Sequence, residues 1–114
     1  EPEEPTLLGM NVEDIRLTVF YTRTRARTEA KIKIRDENGR PVENAQVLVD
    51  IDGTQVSSFT DANGVAFFNT GYQSRSHRFF YQVLDISKEA YVYQASENRE
   101  TQANIRARRR FWFF

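Results

Sequence analysis

The single histidine of the chain is the first residue to consider for catalysis. His77 lies in a polar stretch between Arg75 and Arg78. A catalytic triad needs a nucleophile and an orienting carboxylate that converge on the imidazole. Ser74 and Ser76 are too close in sequence to indicate such a nucleophile, and no serine lies within a Gly-x-Ser-x-Gly elbow. We therefore interpret His77 as a solvated loop histidine and predict no catalytic residue.

The acidic residues offer two further kinds of chemistry. Asp50 and Asp52 are two apart on one predicted strand and so share a face, as a glycosidase pair requires. They also flank Asp52-Gly53, where aspartate is favoured for local hydrogen bonding. Asp61-Ala62-Asn63-Gly64 has the spacing of a calcium loop, but apolar residues at 65–68 follow in place of further oxygen ligands. We interpret both sites as turns and predict no metal and no cofactor.

The C-terminal segment is the strongest candidate for binding. Residues 106–114 place four arginines beside four consecutive aromatic residues. Its rings could pack on the protein's own sandwich, dock into an adjacent domain, another copy or another protein, or rest on an anionic membrane surface. Nucleic acid ranks below these three, because the aromatic residues are clustered and the net charge is zero. The candidate binding residues are Arg108, Arg109, Arg110, Phe111, Trp112, Phe113, Phe114 and Tyr72.

The remaining aromatic residues suggest either a carbohydrate platform or a core. Tyr72, Tyr91, Tyr93 and Trp112 could stack on a sugar, although a late-strand tyrosine in a sandwich more often anchors a corner by hydrogen-bonding backbone. Tyr91 or Tyr93 is expected in that structural role. The period-two positions favour a buried face, which predicts a core that contains Phe67, Phe79, Tyr81 and Val83.

The composition of the chain indicates how many domains hold these residues and which kinds of site are excluded. The chain has 114 residues, of which 39% are hydrophobic and 28% charged, as expected for one globular domain. Sixteen basic residues balance sixteen acidic ones, so no global field favours nucleic acid. The absence of cysteine excludes disulfides, thiol catalysis and thiolate metal sites. We find neither a membrane-spanning run nor a signal peptide in the sequence.

Alternating hydrophobicity without helical periodicity predicts an all-β fold. The clearest segment is residues 30–51, in which two alternating runs flank an Asn38-Gly39 turn and predict an antiparallel hairpin. Further strands are predicted at residues 10–21, 55–59, 65–68, 79–86, 91–93 and 101–107, with polar loops at 22–27 and 71–77. Seven or eight short strands with frequent turn signals indicate an antiparallel β-sandwich.

Three segments carry a family resemblance. Residues 33–47 resemble the V-x-D-x-x-G-x-P-V-x-x-A-x-V hairpin of bacterial immunoglobulin-like domains, and residues 60–66 resemble the T-D-x-x-G-x-A turn that follows it in invasin-type repeats. Residues 79–98 are similar to the late strands of such modules in exported bacterial hydrolases. The transthyretin-like or carboxypeptidase-regulatory sandwich shares the first hairpin. His77, Arg78, Phe80 and the arginine-rich C-terminus depart from the pattern.

The resemblance implies an immunoglobulin-like antiparallel β-sandwich of about seven to eight strands over residues 10–107. Residues 1–9 are interpreted as an acidic, proline-containing linker and residues 108–114 as a basic and aromatic segment. The implied function is that of a non-catalytic accessory module of an exported or cell-surface bacterial protein, acting as a spacer or as an interaction domain. Neighbouring domains or another protein are the expected partners. A metal-assisted hydrolase centred on Asp61 and His77 is the alternative from another class, and the oligomeric state stays open.

Overall fold

Residues 7–108, which the computed structural model describes, form nine strands and one 3-10 turn. The strands are β1 (Leu8–Tyr21), β2 (Arg25–Asp36), β3 (Gln46–Ile51), β4 (Thr54–Phe59), β5 (Val65–Asn69), β6 (Gln73–Ser74), β7 (Arg78–Ser87), β8 (Tyr91–Tyr93) and β9 (Gln102–Arg106), with the turn at Ala95–Glu97. One sheet has the order β5-β2-β1-β8, with β6 also paired to β2, and the other has the order β4-β3-β7-β9. The predicted all-β sandwich is confirmed.

The core lies between the two sheets and follows from the alternation in the strands. Ile32 and Ile34 of β2, and Val47 and Val49 of β3, are fully buried, while their neighbours in sequence turn outward. One buried hydrogen bond crosses the interior, between the hydroxyl groups of Thr28 and Tyr81 at 2.7 Å. The other buried apolar residues are Met10, Val12, Ile15, Ala26, Ala30, Val42, Ala45, Ile51, Ala66, Phe68, Phe79, Val83, Ile86 and Ala107.

The predicted hairpin between β2 and β3 is wrong. β2 pairs with β1 and β5, whereas β3 pairs with β4 and β7 in the opposite sheet. The Asn38-Gly39 turn does form, but it closes on β2 itself, since the Asp36 N–H donates to the Arg40 carbonyl at 2.8 Å. Val42 then enters the core and the chain crosses to the other sheet. Both runs bury one face towards a shared interior. Their alternation therefore could not distinguish a hairpin within one sheet from a connection between the two sheets.

The Asp52-Gly53 hairpin is confirmed. Ile51 pairs with Thr54, so Asp52 and Gly53 form a two-residue loop between β3 and β4. Both have positive φ, 51° and 91°, as a type I′ turn requires. The Gly53 N–H also donates to the carboxylate of Asp50 at 2.7 Å.

The segments 36–40 and 61–65 form the same five-residue loop, with the sequence Asp-x-Asn-Gly-x. In each loop the aspartate carboxylate accepts the backbone N–H groups two and four residues later, at 2.8 and 3.0 Å for Asp36 and at 2.9 and 3.0 Å for Asp61. Each glycine has positive φ and donates its N–H to the carbonyl of the same aspartate. The turn predicted at Asp61 is therefore confirmed, and its carboxylate is committed to the loop.

Three smaller predictions were wrong. Phe67 is 53% exposed on the outer face of β5, while Ala66 and Phe68 face the core. β2 begins at Arg25, within the segment predicted as a polar loop, because its first residues pair with β6. β8 pairs with β1 in parallel, so the sandwich is not wholly antiparallel.

No helix within residues 7–108 is long and apolar enough to cross a membrane.

Candidate functional site

A cleft of about 1060 Å³ lies between the second half of β1 and β9. These strands are the edges of the two different sheets on the same side of the sandwich. The half-buried apolar side chains of Leu17, Val19 and Ile105 contribute to its wall, and Arg78, Arg106 and Arg108 also line it. The cleft therefore combines an apolar wall with basic side chains.

Within residues 7–108, the edge of β1 is covered only in its first half. β8 pairs with Leu8 to Met10, and the side chains of Asn98 and Glu100 then accept the N–H groups of Val12 and Ile15 at 2.8 and 3.4 Å. Residues at two-residue spacing along a strand direct their backbone groups to the same side. Leu17, Val19 and Tyr21 therefore present N–H and C=O groups towards the cleft, without a paired strand among residues 7–108.

The edge of β9 is open in the same direction. Its odd-numbered residues pair towards β7, as the bonds from Val83 N–H to Thr101 O and from Ala107 N–H to His77 O demonstrate. Gln102, Asn104 and Arg106 consequently direct their backbone groups away from β7. Two strand edges without a partner strand in the described part of the chain thus border one cleft.

Arginine residues concentrate at the end of the sandwich where this cleft lies, which we call the arginine end. It carries the β1–β2 turn, the β6–β7 loop and the chain after β9. Among the described residues, none of the arginines in the cleft forms a salt bridge with a carboxylate. The arginines of the arginine end are Arg23, Arg25, Arg75, Arg78, Arg106 and Arg108.

Tyr21 bridges the two edges at this end. Its hydroxyl accepts the backbone N–H of Arg108 at 2.9 Å, and the guanidinium of Arg75 lies over its ring at 4.7 Å. Arg75 also donates to the carbonyls of Thr22 and Arg23 at 3.3 and 3.2 Å. Its Nε is buried with no hydrogen-bond partner among the described residues. Arg75 therefore holds the β1–β2 turn against the β6–β7 loop, and Tyr21 holds the backbone of Arg108 beside the end of β1.

His77 and Asp52 form a hydrogen-bonded pair that sequence reasoning did not predict. His77 Nε2 lies 2.9 Å from one Asp52 carboxylate oxygen, and the other oxygen accepts the Phe80 N–H at 2.9 Å. The imidazole also packs edge-on against Phe79 at 4.7 Å. Within residues 7–108 no hydroxyl group is hydrogen-bonded to the ring. This arrangement anchors the β3–β4 turn to β7 and lacks the nucleophile of a triad.

The predicted binding residues are only partly described. Arg108 lies in the cleft, whereas Arg109, Arg110, Phe111, Trp112, Phe113 and Phe114 fall outside the described residues. Tyr72 is 46% exposed and lies beside Arg27 rather than in the cleft. Its hydroxyl interacts with that guanidinium and raises the pKa of Arg27 above its ordinary value, and Glu29 acts in the same direction.

Among the described residues, the tyrosines considered for a carbohydrate platform do not lie together. Tyr91 and Tyr93 are the first and last residues of β8, beside the start of β1, whereas Tyr72 precedes β6, which pairs with the start of β2 at the arginine end. Within residues 7–108, neither the Tyr91 nor the Tyr93 hydroxyl hydrogen-bonds backbone. Tyr91 lies under the Lys88 ammonium at 5.3 Å, and Tyr93 accepts from the Asn98 amide at 2.6 Å. Tyr21 makes the tyrosine-to-backbone contact instead.

Residues 7–108 contain no cluster of three histidine, cysteine or carboxylate side chains suited to a metal ion. Comparison of the chain with protein-family models, with curated proteins and with solved structures found no match. The cleft between β1 and β9 is therefore the candidate binding surface. One signal in the sequence pointed to it, since Arg23, Arg78 and Arg106 each lie near an end of a predicted strand.

Proposed function

We propose that this chain is a non-catalytic immunoglobulin-like module of an exported or cell-surface bacterial protein, and that it binds an adjacent domain or another protein through the arginine end. The observation that carries the proposal is the cleft between β1 and β9, where, among residues 7–108, two strand edges lack a paired strand and the arginines lack a carboxylate partner. Arginine is enriched at the energetic centres of protein interfaces. The spacer role is inferred from the family resemblance of the turn sequences.

The placement of the other polar groups supports a binding role over a catalytic one. His77 and Asp52 are hydrogen-bonded to each other, and Asp36 and Asp61 each close a loop. A general acid or base needs a free position directed at a substrate. The carboxylates of Asp52, Asp36 and Asp61 instead accept protein N–H groups. These hydrogen bonds favour a structural role over a catalytic one.

An unstructured acidic polypeptide tests the location of the binding surface. We expect poly-L-glutamate to shift the amide NMR resonances of the isotope-labelled full chain, mainly at residues 17–25, 75–78 and 104–108. The shifts should diminish steeply at about 500 mM salt, because screening weakens exposed charge pairs. Poly-L-lysine serves as the control of opposite charge. Shifts centred elsewhere, or none at all, would contradict the proposal.

A thermal melt tests the competing enzymatic interpretation. A ligand that binds only the folded state raises the melting temperature. We expect no change when calcium or zinc is added, and none with a chelator. A metal-dependent rise that the chelator reverses would favour a metal-assisted hydrolase in place of the binding module.

A further inference from the structure

We infer that the cleft between β1 and β9 binds an acidic, extended peptide segment as an additional strand on the edge of β1. The inference deepens the proposed function and rests on it, because it names the partner class of the same surface. It is carried by three features of the cleft: its free backbone groups, its apolar wall and its arginines.

The backbone groups of β1 provide the ladder for an added strand. Leu17, Val19 and Tyr21 direct their N–H and C=O groups to one side, at the spacing that an incoming strand uses. Pairing on the first half of this edge is already complete, through β8 and the side chains of Asn98 and Glu100. A peptide that adds to the second half would therefore extend an edge that the fold itself has started to cover.

The side chains of the cleft determine which peptide fits. Leu17, Val19 and Ile105 are only half-buried, so apolar side chains at alternate positions of a peptide would bury surface that is now partly exposed. Arg78, Arg106 and Arg108 line the same cleft, so polar side chains of the peptide would lie near basic groups. Guanidinium groups bind carboxylates with two parallel hydrogen bonds, so glutamate or aspartate suits these positions.

The charge of the chain's own terminal segments favours a peptide that comes from outside this copy of the chain. Arg109 and Arg110 follow directly after Arg108 and carry the same sign as the cleft. The segment 1–6, which contains three glutamates, precedes the start of β1. Tyr21 lies at the other end of β1, about 40 Å away, since each strand residue advances about 3.3 Å. Six residues of that segment cannot span this distance within one copy.

A labelled peptide tests the inference on the full chain. The probe is a fluorescein-labelled, amidated peptide of about eight residues in which glutamate and valine alternate, a typical strand length. We expect saturable binding by fluorescence anisotropy, together with slower hydrogen exchange at the amides of Leu17 and Val19. The same peptide with lysine in place of glutamate should bind at least about tenfold more weakly.

Backbone methylation separates strand addition from simple charge attraction. Two further peptides carry N-methyl groups on all valines or on all glutamates, so that each removes the donors of one strand edge. We expect at least one of them to lose affinity by about tenfold or more. If both bind as tightly as the parent peptide, the added strand is refuted. Localised binding of poly-L-glutamate would then leave the proposed function intact.

Charge-reversal variants test which arginines bind the peptide. The variant R78E/R106E should weaken binding of the alternating peptide by about tenfold, and the matched variant R40E/R99E, with both changes outside the cleft, should leave it within about twofold. Equal effects of the two variants would overturn the assignment. A different outcome would identify a membrane contact instead. In that case the peptide does not bind, and the chain co-sediments with phosphatidylserine vesicles only when residues 108–114 are present.

Discussion

Two glycines in equivalent loops should respond differently to the same substitution. Gly39 and Gly64 occupy the same position in the two Asp-x-Asn-Gly-x loops and have similar backbone angles, with φ of 81° and 76°. A Cβ at Gly39 meets no atom within 4 Å, whereas a Cβ at Gly64 lies 2.5 Å from the carbonyl oxygen of Ile34 and 3.0 Å from the side chain of Pro41. The pair therefore separates backbone strain from steric overlap.

The expected cost follows from these two terms. Alanine at positive φ costs about 1–2 kcal/mol, which applies to both Gly39→Ala and Gly64→Ala. The overlap with Ile34 adds about 1–3 kcal/mol at Gly64, because a backbone carbonyl that accepts a hydrogen bond from Val42 cannot yield easily. We expect the free energy of unfolding to fall about 2 kcal/mol further in Gly64→Ala, which corresponds to roughly 8 °C in melting temperature for a chain of this length.

Urea unfolding of the two variants measures this difference directly. The denaturant slope should stay unchanged, so that the midpoint alone reports stability. Gly53→Ala provides a second control, since Gly53 also has positive φ and its added Cβ would meet no atom within 4 Å. If Gly64→Ala and Gly39→Ala differ by less than about 0.5 kcal/mol, the reasoning from steric overlap is refuted.

Three other predictions concern the core. Thr60→Val should destabilise the protein by about 2–3 kcal/mol in urea unfolding, and Thr60→Ser by much less, since the buried hydroxyl donates to the Val42 carbonyl at 2.6 Å and accepts the Ala45 N–H at 2.9 Å. Phe68→Ala should cost about 3–5 kcal/mol but Phe67→Ala under about 0.5 kcal/mol, and equal losses would contradict the assigned faces of β5. Burial raises the pKa of the Tyr81 hydroxyl above its ordinary value, so its stabilisation is complete below the unfolded-state pKa near 10 and is lost as pH rises through the folded-state pKa. The stability of Tyr81→Phe measured between pH 9 and 11 should therefore fall less steeply than wild type, by up to about 1.4 kcal/mol per pH unit, and parallel profiles would contradict this.

The sequence was sufficient to predict the sandwich because alternation reports which face of a strand is buried. It was insufficient to predict pairing, as residues 30–51 demonstrate. The two runs at 28–35 and 45–51 both bury their apolar face, yet β2 and β3 belong to opposite sheets. The short loop at Asp52-Gly53 did determine which strands pair, since two residues leave no length for a connection between the sheets.

The candidate site was less predictable than the fold. The sequence singled out Arg108, which lines the cleft, but the other contributors come from strands far apart in the chain. Whether Leu17 and Val19 have free backbone groups depends on where β8 stops covering β1, and that is set by side chains at Asn98 and Glu100. A contact formed by residues more than 80 positions apart leaves no periodic signal in the sequence. The pair formed by His77 and Asp52, which are 25 positions apart, leaves no periodic signal either.

The positions of the two ends of the described chain determine how the module responds to tension. Leu8 begins β1, and Arg108 lies beside Tyr21 at the other end of the same strand, about 40 Å away. A pulling force between these points acts along the strands. The hydrogen bonds between β1 and β2 lie across that direction, so they must be sheared together rather than opened one after another. The architecture therefore favours slow unfolding under load, a property that is set by the geometry of its strands independently of any ligand.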